Sequence, residues 1–432
     1  MVWLVLGVSW GDQSGKGNSN KGGDKLVQLY VGIDIGSKLH HVAVFTESGE
    51  VIKRDKIVHR MRDISRFIEE LKTLKEKHSC TDVFVGMENS NGYAAPLDRM
   101  LIHSGFKVIA INSITIDKYR NLVGQPRKDD PYDAELIGSY LIDIYHSKGI
   151  RRNAQEIGSP DQASMGKLRA LTRHFRTTKR DLTRANNRLK KHLLGYFPDF
   201  LEAFENIQTK TARALLRHYD TVSKVKRARA SSIAKIRISS WRTVGPKAAS
   251  KLKALVKEIH YLDPLENEMG IVTSNLIKQM GWLIDQLEEL GLQIEEMAAE
   301  LSSIQEITKT VPGAGIRNTA ELVAEIGDVR RFSTRDKLGI YCGIGCLNRS
   351  SGKKVAARKP TQINHRAKSV LCMMAQAAIV NDSESRKYYD KKRKEGKGHW
   401  HAIKCLAKYL LRHIFQLLSE MQASATQGKM AA

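Results

Sequence analysis

The sequence predicts an α/β domain on its N-terminal side and a long, mainly helical remainder. Two observations carry this. Between Val27 and about residue 112, short apolar runs rich in Val, Ile and Phe alternate with segments of helical period, bounded by Gly, Ser and Asn turns. After about residue 160 the strand signals vanish, and apolar residues recur every three or four positions over stretches of about thirty residues.

Taken in order, "LYVGIDIG" and "HHVAVFT" read as two strands with a tight turn at Gly36-Ser37, and "VIKRDKIV" as a third. Residues 62–77 form a helix through Ile64, Phe67, Ile68 and Leu71. "DVFVGME" is a buried strand, "AAPLDRMLIHSG" a helix closed by Gly105, "KVIAIN" a fifth strand, and residues 131–146 an amphipathic helix. Three strands, a helix, a strand, a helix, a strand and a helix is the order of an RNase H-like domain.

In the remainder, residues 165–195 form a long helix with Leu168, Leu171, Phe175, Leu182, Leu189 and Leu193 on one side. Its other faces hold ten Lys/Arg between Lys167 and Lys191 against the single Asp181, which marks Arg173, Arg176, Lys179, Arg180, Lys190 and Lys191 as candidate phosphate contacts. Residues 275–305 form a second long helix. Leu283, Leu287, Leu290, Ile294, Met297, Leu301 and Ile304 step alternately by four and three, the spacing of a coiled-coil seam. The seam suits a hairpin with the first long helix or a contact between subunits, and the second is preferred. Residues 196–270 are basic and helical, with no role assigned. "TVPGAGIRNTAELVAEIGD" resembles a helix–hairpin–helix, whose glycine turn, here Gly313 and Gly315, offers backbone amides to a phosphate. The plainer alternative is a glycine-rich helix connection. The charged, aromatic run from residue 385 is read as a further nucleic-acid contact. The segments are thus 1–26, a flexible tail; 27–160, the α/β domain; 161–305, the basic helical and coiled-coil region; and 306–432, a mainly helical C-terminal domain.

Charge narrows the partners. The chain carries 71 Lys+Arg against 46 Asp+Glu, a formal charge of +25, and so attracts polyanions such as DNA and RNA. No apolar run approaches the roughly 18–20 residues of a spanning helix, which disfavours membrane. Five scattered cysteines fit a reduced, cytoplasmic compartment, and Cys342 with Cys346 is poor evidence for zinc. The start "MVWLVLGVSW" lacks the basic flank of a signal peptide. "GDQSGK" is one residue short of a phosphate-binding loop, and Gly17 stands where a hydroxyl is needed.

Against this basic background "DDPYDAE", residues 129–135, packs three aspartates and a glutamate into seven positions. Alone, Asp130 before Pro131 reads as a helix N-cap followed by proline at the first helical position. The rest of the domain shifts the balance. Asp34 interrupts an apolar strand, where a carboxylate is costly unless paired or metal-bound. Glu88 ends the fourth strand, which in an RNase H-like sheet lies beside the first. Asp130 and Asp133, three apart, share a helix face. Four converging carboxylates require cations, and two Mg²⁺ ions about 3.5–4 Å apart supply the charge that phosphoryl transfer uses.

The blocks "GIDIGSKLHHVAVF", "VGMENSNGY" and "KDDPYDAELIG" resemble the D, E and DxxD blocks of the RuvC-like domain of Piv-type transposases and invertases, the RNA-guided bridge recombinases of one insertion-sequence family. "VPGAGIRNTAELVAEIGDVRRFSTRDKLGIYCGIGCLNRSSGKK" resembles their second conserved domain, and the likeness runs from about Val27 to Leu417 apart from the middle. It implies that Asp34, Glu88, Asp130 and Asp133 are a metal-binding tetrad and that Ser351, preceded by Ser350, is a nucleophile; Lys353 and Lys354, beyond Gly352, are read as nucleic-acid contacts. The sequence departs from the family pattern with Asp129 where Thr is usual, Cys346 where Pro is common, and a loosely matching "QINHRAK".

The expectation is therefore a site-specific DNA recombinase that forms a phosphoserine link with Mg²⁺ assistance. The resemblance further implies a bridge RNA, target and donor DNA, and an assembly of dimers in which tetrad and serine are joined across subunits. Two alternatives stay open: a RuvC-like endonuclease in which water replaces the serine, and a non-enzymatic nucleic-acid-binding protein whose acids only cap helices.

Overall fold

A computed structural model describes residues 28–88, 92–124, 129–146, 154–157, 160–351, 354–358, 360 and 362–431, with side chains left undescribed at 154–157, 160–163, 348–351, 354–358 and 425–431. The tail 1–26 and Lys353 lie outside the described residues. The chain divides into two compact units, residues 1–158 and 159–432.

The first unit is a six-stranded sheet between two helical layers. Its elements are β1 (Gln28–Ile35), β2 (Leu39–Thr46), β3 (Val51–Val58), α1 (Met61–Lys77), β4 (Asp82–Glu88), α2 (Ala95–His103), β5 (Lys107–Ile111), α3 (Ser113–Leu122), α4 (Asp130–His146) and β6 (Ala154–Ile157). The strand order is β3-β2-β1-β4-β5-β6, with β2 antiparallel to β1 and β3 while β1, β4 and β5 are parallel. The first five strands are those read from the sequence, in RNase H-like order. Helix α3 and the antiparallel edge strand β6 are additions.

Strand alternation sorts the side chains. Leu29, Val31, Ile33, Val83, Val85 and Met87 join Ile64, Phe67, Leu71, Leu97 and Leu101 of α1 and α2 in one core. Tyr30, Phe45, Phe84 and Ile109 join Ala134, Ile137 and Leu141 of α4 in the other. Asp34 and Glu88 have the parity of Tyr30 and Phe84, so they lie on the α4 side.

The second unit begins with α5 (Pro160–Tyr196), followed by α6 (Pro198–Ala203), α7 (Lys210–His218), α8 (Val222–Arg227), α9 (Ala230–Ala234), the hairpin β7 (Arg237–Ser239) and β8 (Arg242–Thr243), and α10 (Pro246–Lys257). It continues through α11 (Glu266–Ala299), α12 (Ser302–Thr310), α13 (Ile316–Ile326), α14 (Arg335–Tyr341), the hairpin β9 (Leu347–Ser351) and β10 (Lys354–Arg358), α15 (His365–Asn381), α16 (Ser383–Lys394) and α17 (His399–Ala431). Two small hairpins thus stand where the sequence showed no strand signal.

Two cores share the long helices. Leu189, Leu193 and Leu283 pack with α6–α10, whereas Leu168 and Ile294 pack with α12–α17. The two ends of α5 therefore meet opposite ends of α11, in one antiparallel pair. This corrects the preferred reading of the seam: Leu283, Leu290 and Ile294 are buried within one chain. The heptad also outruns its helix, because α11 ends at Ala299 and Ile304 belongs to α12.

Candidate metal and phosphoryl-transfer site

Strands β1 and β4 bring the first two carboxylates together. Val31 lies opposite Val85, Gly32 opposite Gly86 and Ile33 opposite Met87, so "VGID" and "VGME" run side by side. Asp34 and Glu88 are thereby carried to adjacent strand ends.

The glycines bring in the helix. A methyl group on Gly32 would overlap the Ala134 carbonyl and the Gly138 backbone, and one on Gly138 would overlap the Phe45 ring. Helix α4 therefore lies flush on β1. Asp130, Ala134 and Gly138 recur at four-residue spacing on one helix stripe. With Ala134 and Gly138 seated over Gly32, Asp130 extends beyond them toward Asp34, two residues along the same strand face.

Strand β2 adds a group that sequence reasoning missed. His41 lies directly opposite Asp34 in the antiparallel register. One His41 ring nitrogen and carboxylate oxygens of Asp34 and Asp130 all lie within 4.8 Å of one another, and His41 Nδ1 is 3.9 Å from Asp130 Oδ2. The signal was in "HHVAVF": the second histidine has the parity that meets Asp34. The first, His40, faces the α1–α2 side, lies 2.9 Å from His59 Nδ1, and is pushed down to about 4 by burial and then by its histidine neighbours.

The electrostatics extend the group. The Asp34 carboxyl is pushed up to about 6, first by burial and then by Asp130, Asp133 and Glu88, against a smaller opposing effect of the Ile35 amide. All four predicted acids thus act on one locus, although Glu88 and Asp133 lie outside the 4.8 Å group. Asp133 is held by Arg120 of α3, which donates to it at 2.6 Å and to Asp117 at 2.7 Å. Arg120 is only 8% exposed. It is the second residue missed, because the helix that carries it was not anticipated.

Asp129 also changes role. Its carboxylate accepts from the Tyr132 amide at 3.0 Å, so Asp129 caps α4. That corrects the alternative reading of Asp130 as the N-cap and leaves the Asp130 side chain 74% exposed beside Asp34.

The remaining predicted residues lie in the second unit. Ser351 ends β9, with Lys354 as its cross-strand partner in β10. Arg173 and Arg176 are paired with acids of the same unit, Arg173 donating to buried Glu325 at 2.7 and 3.0 Å and Arg176 pairing with Glu321 at 2.6 Å. Lys179, Arg180, Lys190 and Lys191 are exposed. Gly313 has a positive φ of 74°, and a methyl there would overlap the Met374 carbonyl and crowd the Ala378 backbone, so helix packing accounts for this glycine. Gly315 is exposed at the start of α13.

Residues 31–198 match a family described as Transposase, the DEDD domain of the IS110 group, and residues 305–390 match the Transposase IS116/IS110/IS902 family. The uncharacterized 44.8 kDa protein of insertion element IS116 from Streptomyces clavuligerus is 25% identical over 401 residues, covering 91% of this chain and 95% of that protein. The uncharacterized 42 kDa protein of IS900 from Mycobacterium paratuberculosis is 25% identical over 395 residues, covering 91% and 96%. A Thermus thermophilus RuvC structure aligns with 30% of this chain and 99% of its own, at 13% identity and a TM-score of 0.22. With matches at both conserved segments and relatives similar over nearly their whole length, the chain belongs to the IS110/IS116/IS902 family of insertion-sequence transposases.

Proposed function

We propose that the protein is a site-specific DNA recombinase that mobilises its own insertion sequence through a covalent phosphoserine intermediate. The observation that carries the catalytic half is Asp34. Its carboxyl is raised first by burial and then by three further acids, with Asp130 and His41 within ligand reach, and a cation at such a locus would stabilise its charged form. Mostly oxygen donors with one imidazole fit a hard or borderline divalent ion, and Mg²⁺ is the proposed one, two per site. Asp34, Asp130 and His41 would hold it, with Glu88 and Asp133 contributing charge. When bound, such an ion supplies positive charge to the oxygens of a phosphate under attack.

Ser351 is the proposed nucleophile on the strength of the family resemblance. Its Oγ forms a bond to a DNA phosphorus as the bond from phosphorus to the leaving sugar oxygen breaks. The serine proton departs and the sugar oxygen gains one. A serine hydroxyl is weak at its ordinary pKa and requires such activation. The phosphodiester energy is retained in the link for rejoining. The same resemblance supports a guide RNA that pairs with target and donor DNA, a homo-oligomer in the assembled complex, and action in the cytoplasm.

The test uses end-labelled junction DNA of the element with co-expressed RNA and Mg²⁺, followed by denaturation. Label remaining on the protein, lost in both Ser351→Ala and Glu88→Ala, is the expected result. Mg²⁺-dependent cleavage without an adduct, insensitive to Ser351→Ala, would identify an endonuclease using water. Activity untouched by Asp34→Ala and indifferent to divalent ions would leave only a binding protein.

A further inference from the structure

Between Asp220 and Glu258 the chain carries eleven Lys/Arg and no acidic residue. The β7–β8 hairpin rises from the middle of this segment. Ile236 and Ile238 pack against the core of α6–α10, and Val244 is buried in it. Lys235 and Arg237 alternate with those isoleucines and are exposed. Arg237 faces Thr243 and Ser239 faces Arg242, and the amides of Val244 and Gly245 bond back to Ile236 and Ala234 at 2.9 and 3.0 Å. The stem is therefore anchored on one side and basic on the other.

At its turn stands Trp241, 89% exposed. Among the described residues, no ring stacks on it and no cation covers it. A tryptophan gains more from burial than almost any other side chain, so one held at the tip of an anchored hairpin is a surface awaiting a partner. Arg229, Lys235, Arg237, Arg242 and Lys247 are all exposed, and none makes an ion pair within the described chain. This contrasts with Arg173 and Arg176 on α5, whose charges are consumed by Glu325 and Glu321.

We propose that this hairpin is a docking site for single-stranded DNA, in which Trp241 stacks on an unpaired base while Arg237, Arg242 and neighbouring cations hold the flanking phosphates. Uniform positive charge selects a polyanion, and a projecting indole requires a partner with an open π-face. Bases within a duplex have both faces covered, and opening a step must break stacking and pairing, so an already unpaired strand is favoured. The inference rests on the reading of the protein as a DNA-cutting enzyme, whose reaction supplies unpaired strands at opened or cleaved ends.

The test is fluorescence anisotropy with the full chain in EDTA, so that no cleavage intervenes. The probes are a labelled DNA strand of about 20 nucleotides, its blunt duplex, and RNA of the same sequence. Trp241→Ala is expected to weaken single-stranded DNA binding about tenfold while changing duplex affinity less than twofold, and Trp241→Phe to retain most of the affinity. Arg237→Ala with Arg242→Ala should weaken binding and flatten its salt dependence by about two charges. Matching melting curves establish that the variants are folded. Equal losses on strand and duplex, no loss from Trp241→Ala, or a loss confined to RNA would each overturn the proposal. If the protein binds this way yet forms no covalent adduct, the hairpin assignment stands and the phosphoserine mechanism falls.

Discussion

Asp34 shows how a single residue discloses a site. Its folded carboxyl titrates at about 6 rather than 3.8, so between those values the folded chain holds more protons than the unfolded one. Stability conferred by this group therefore falls as pH rises from about 4 to about 6, and the penalty is complete above that window. His40, pushed down to about 4, acts with the opposite sign over an overlapping range, and Asp98, pushed up to about 7 by burial, adds to the Asp34 trend. The wild-type profile alone mixes all three, but comparison with Asp34→Asn isolates one. Without divalent ions, Asp34→Asn is expected to melt a few degrees above wild type at neutral pH, with the advantage growing between about pH 4 and 6 and constant above. Saturating Mg²⁺ should raise wild type and leave the variant unmoved. Thermal melts across pH with and without Mg²⁺ measure both, and an Asp34→Asn variant less stable than wild type at every pH would refute the account.

At the scale of elements, the decisive contact is glycine against glycine. Helix α4 approaches β1 closely enough that Gly32 and Gly138 admit no side chain. Gly32→Ala should push the helix outward, at about 1–3 kcal/mol in stability, and carry Asp130 away from Asp34. The measurable signature is the pair of effects: a lower melting temperature, and loss of Mg²⁺ stabilisation although no carboxylate was changed. Retained Mg²⁺ stabilisation would show that the helix position does not set the site. Part of this arrangement was legible in the sequence. The repeated "VGID" and "VGME" lie in strands that the RNase H-like order makes neighbours, and strand parity puts the second histidine of "HHVAVF" on one sheet face, while the register that sets His41 opposite Asp34 is fixed by the fold. Other parts were not legible. Arg120 reaches Asp133 from a helix that sequence periodicity did not reveal, and the capping role of Asp129 rather than Asp130 depends on one hydrogen bond at a helix start. Contacts of this kind are set by tertiary packing, which the local pattern does not encode.

For the whole molecule, the heptad seam teaches where sequence pattern stops. A run of apolar residues at alternating three- and four-residue steps states that a helix has a partner along one face, and it is silent on whether the partner belongs to the same chain. Here α5 takes that role for α11, joining the middle core to the C-terminal one, so the seam contributes to the stability of the unit. Ile294 lies in the C-terminal core and is 1% exposed. Ile294→Ala is expected to destabilise the second unit by about 2–5 kcal/mol, the cost of a large-to-small change in a filled core. That loss should be the same at low and high protein concentration, because no subunit contact is removed. A seam between subunits would behave differently: the variant's melting temperature would recover as concentration rises, and its sedimentation would shift toward the monomer. Melting and sedimentation over a wide range of concentration therefore separate the two arrangements. Any oligomer the protein forms must then use surfaces other than the buried side of α11.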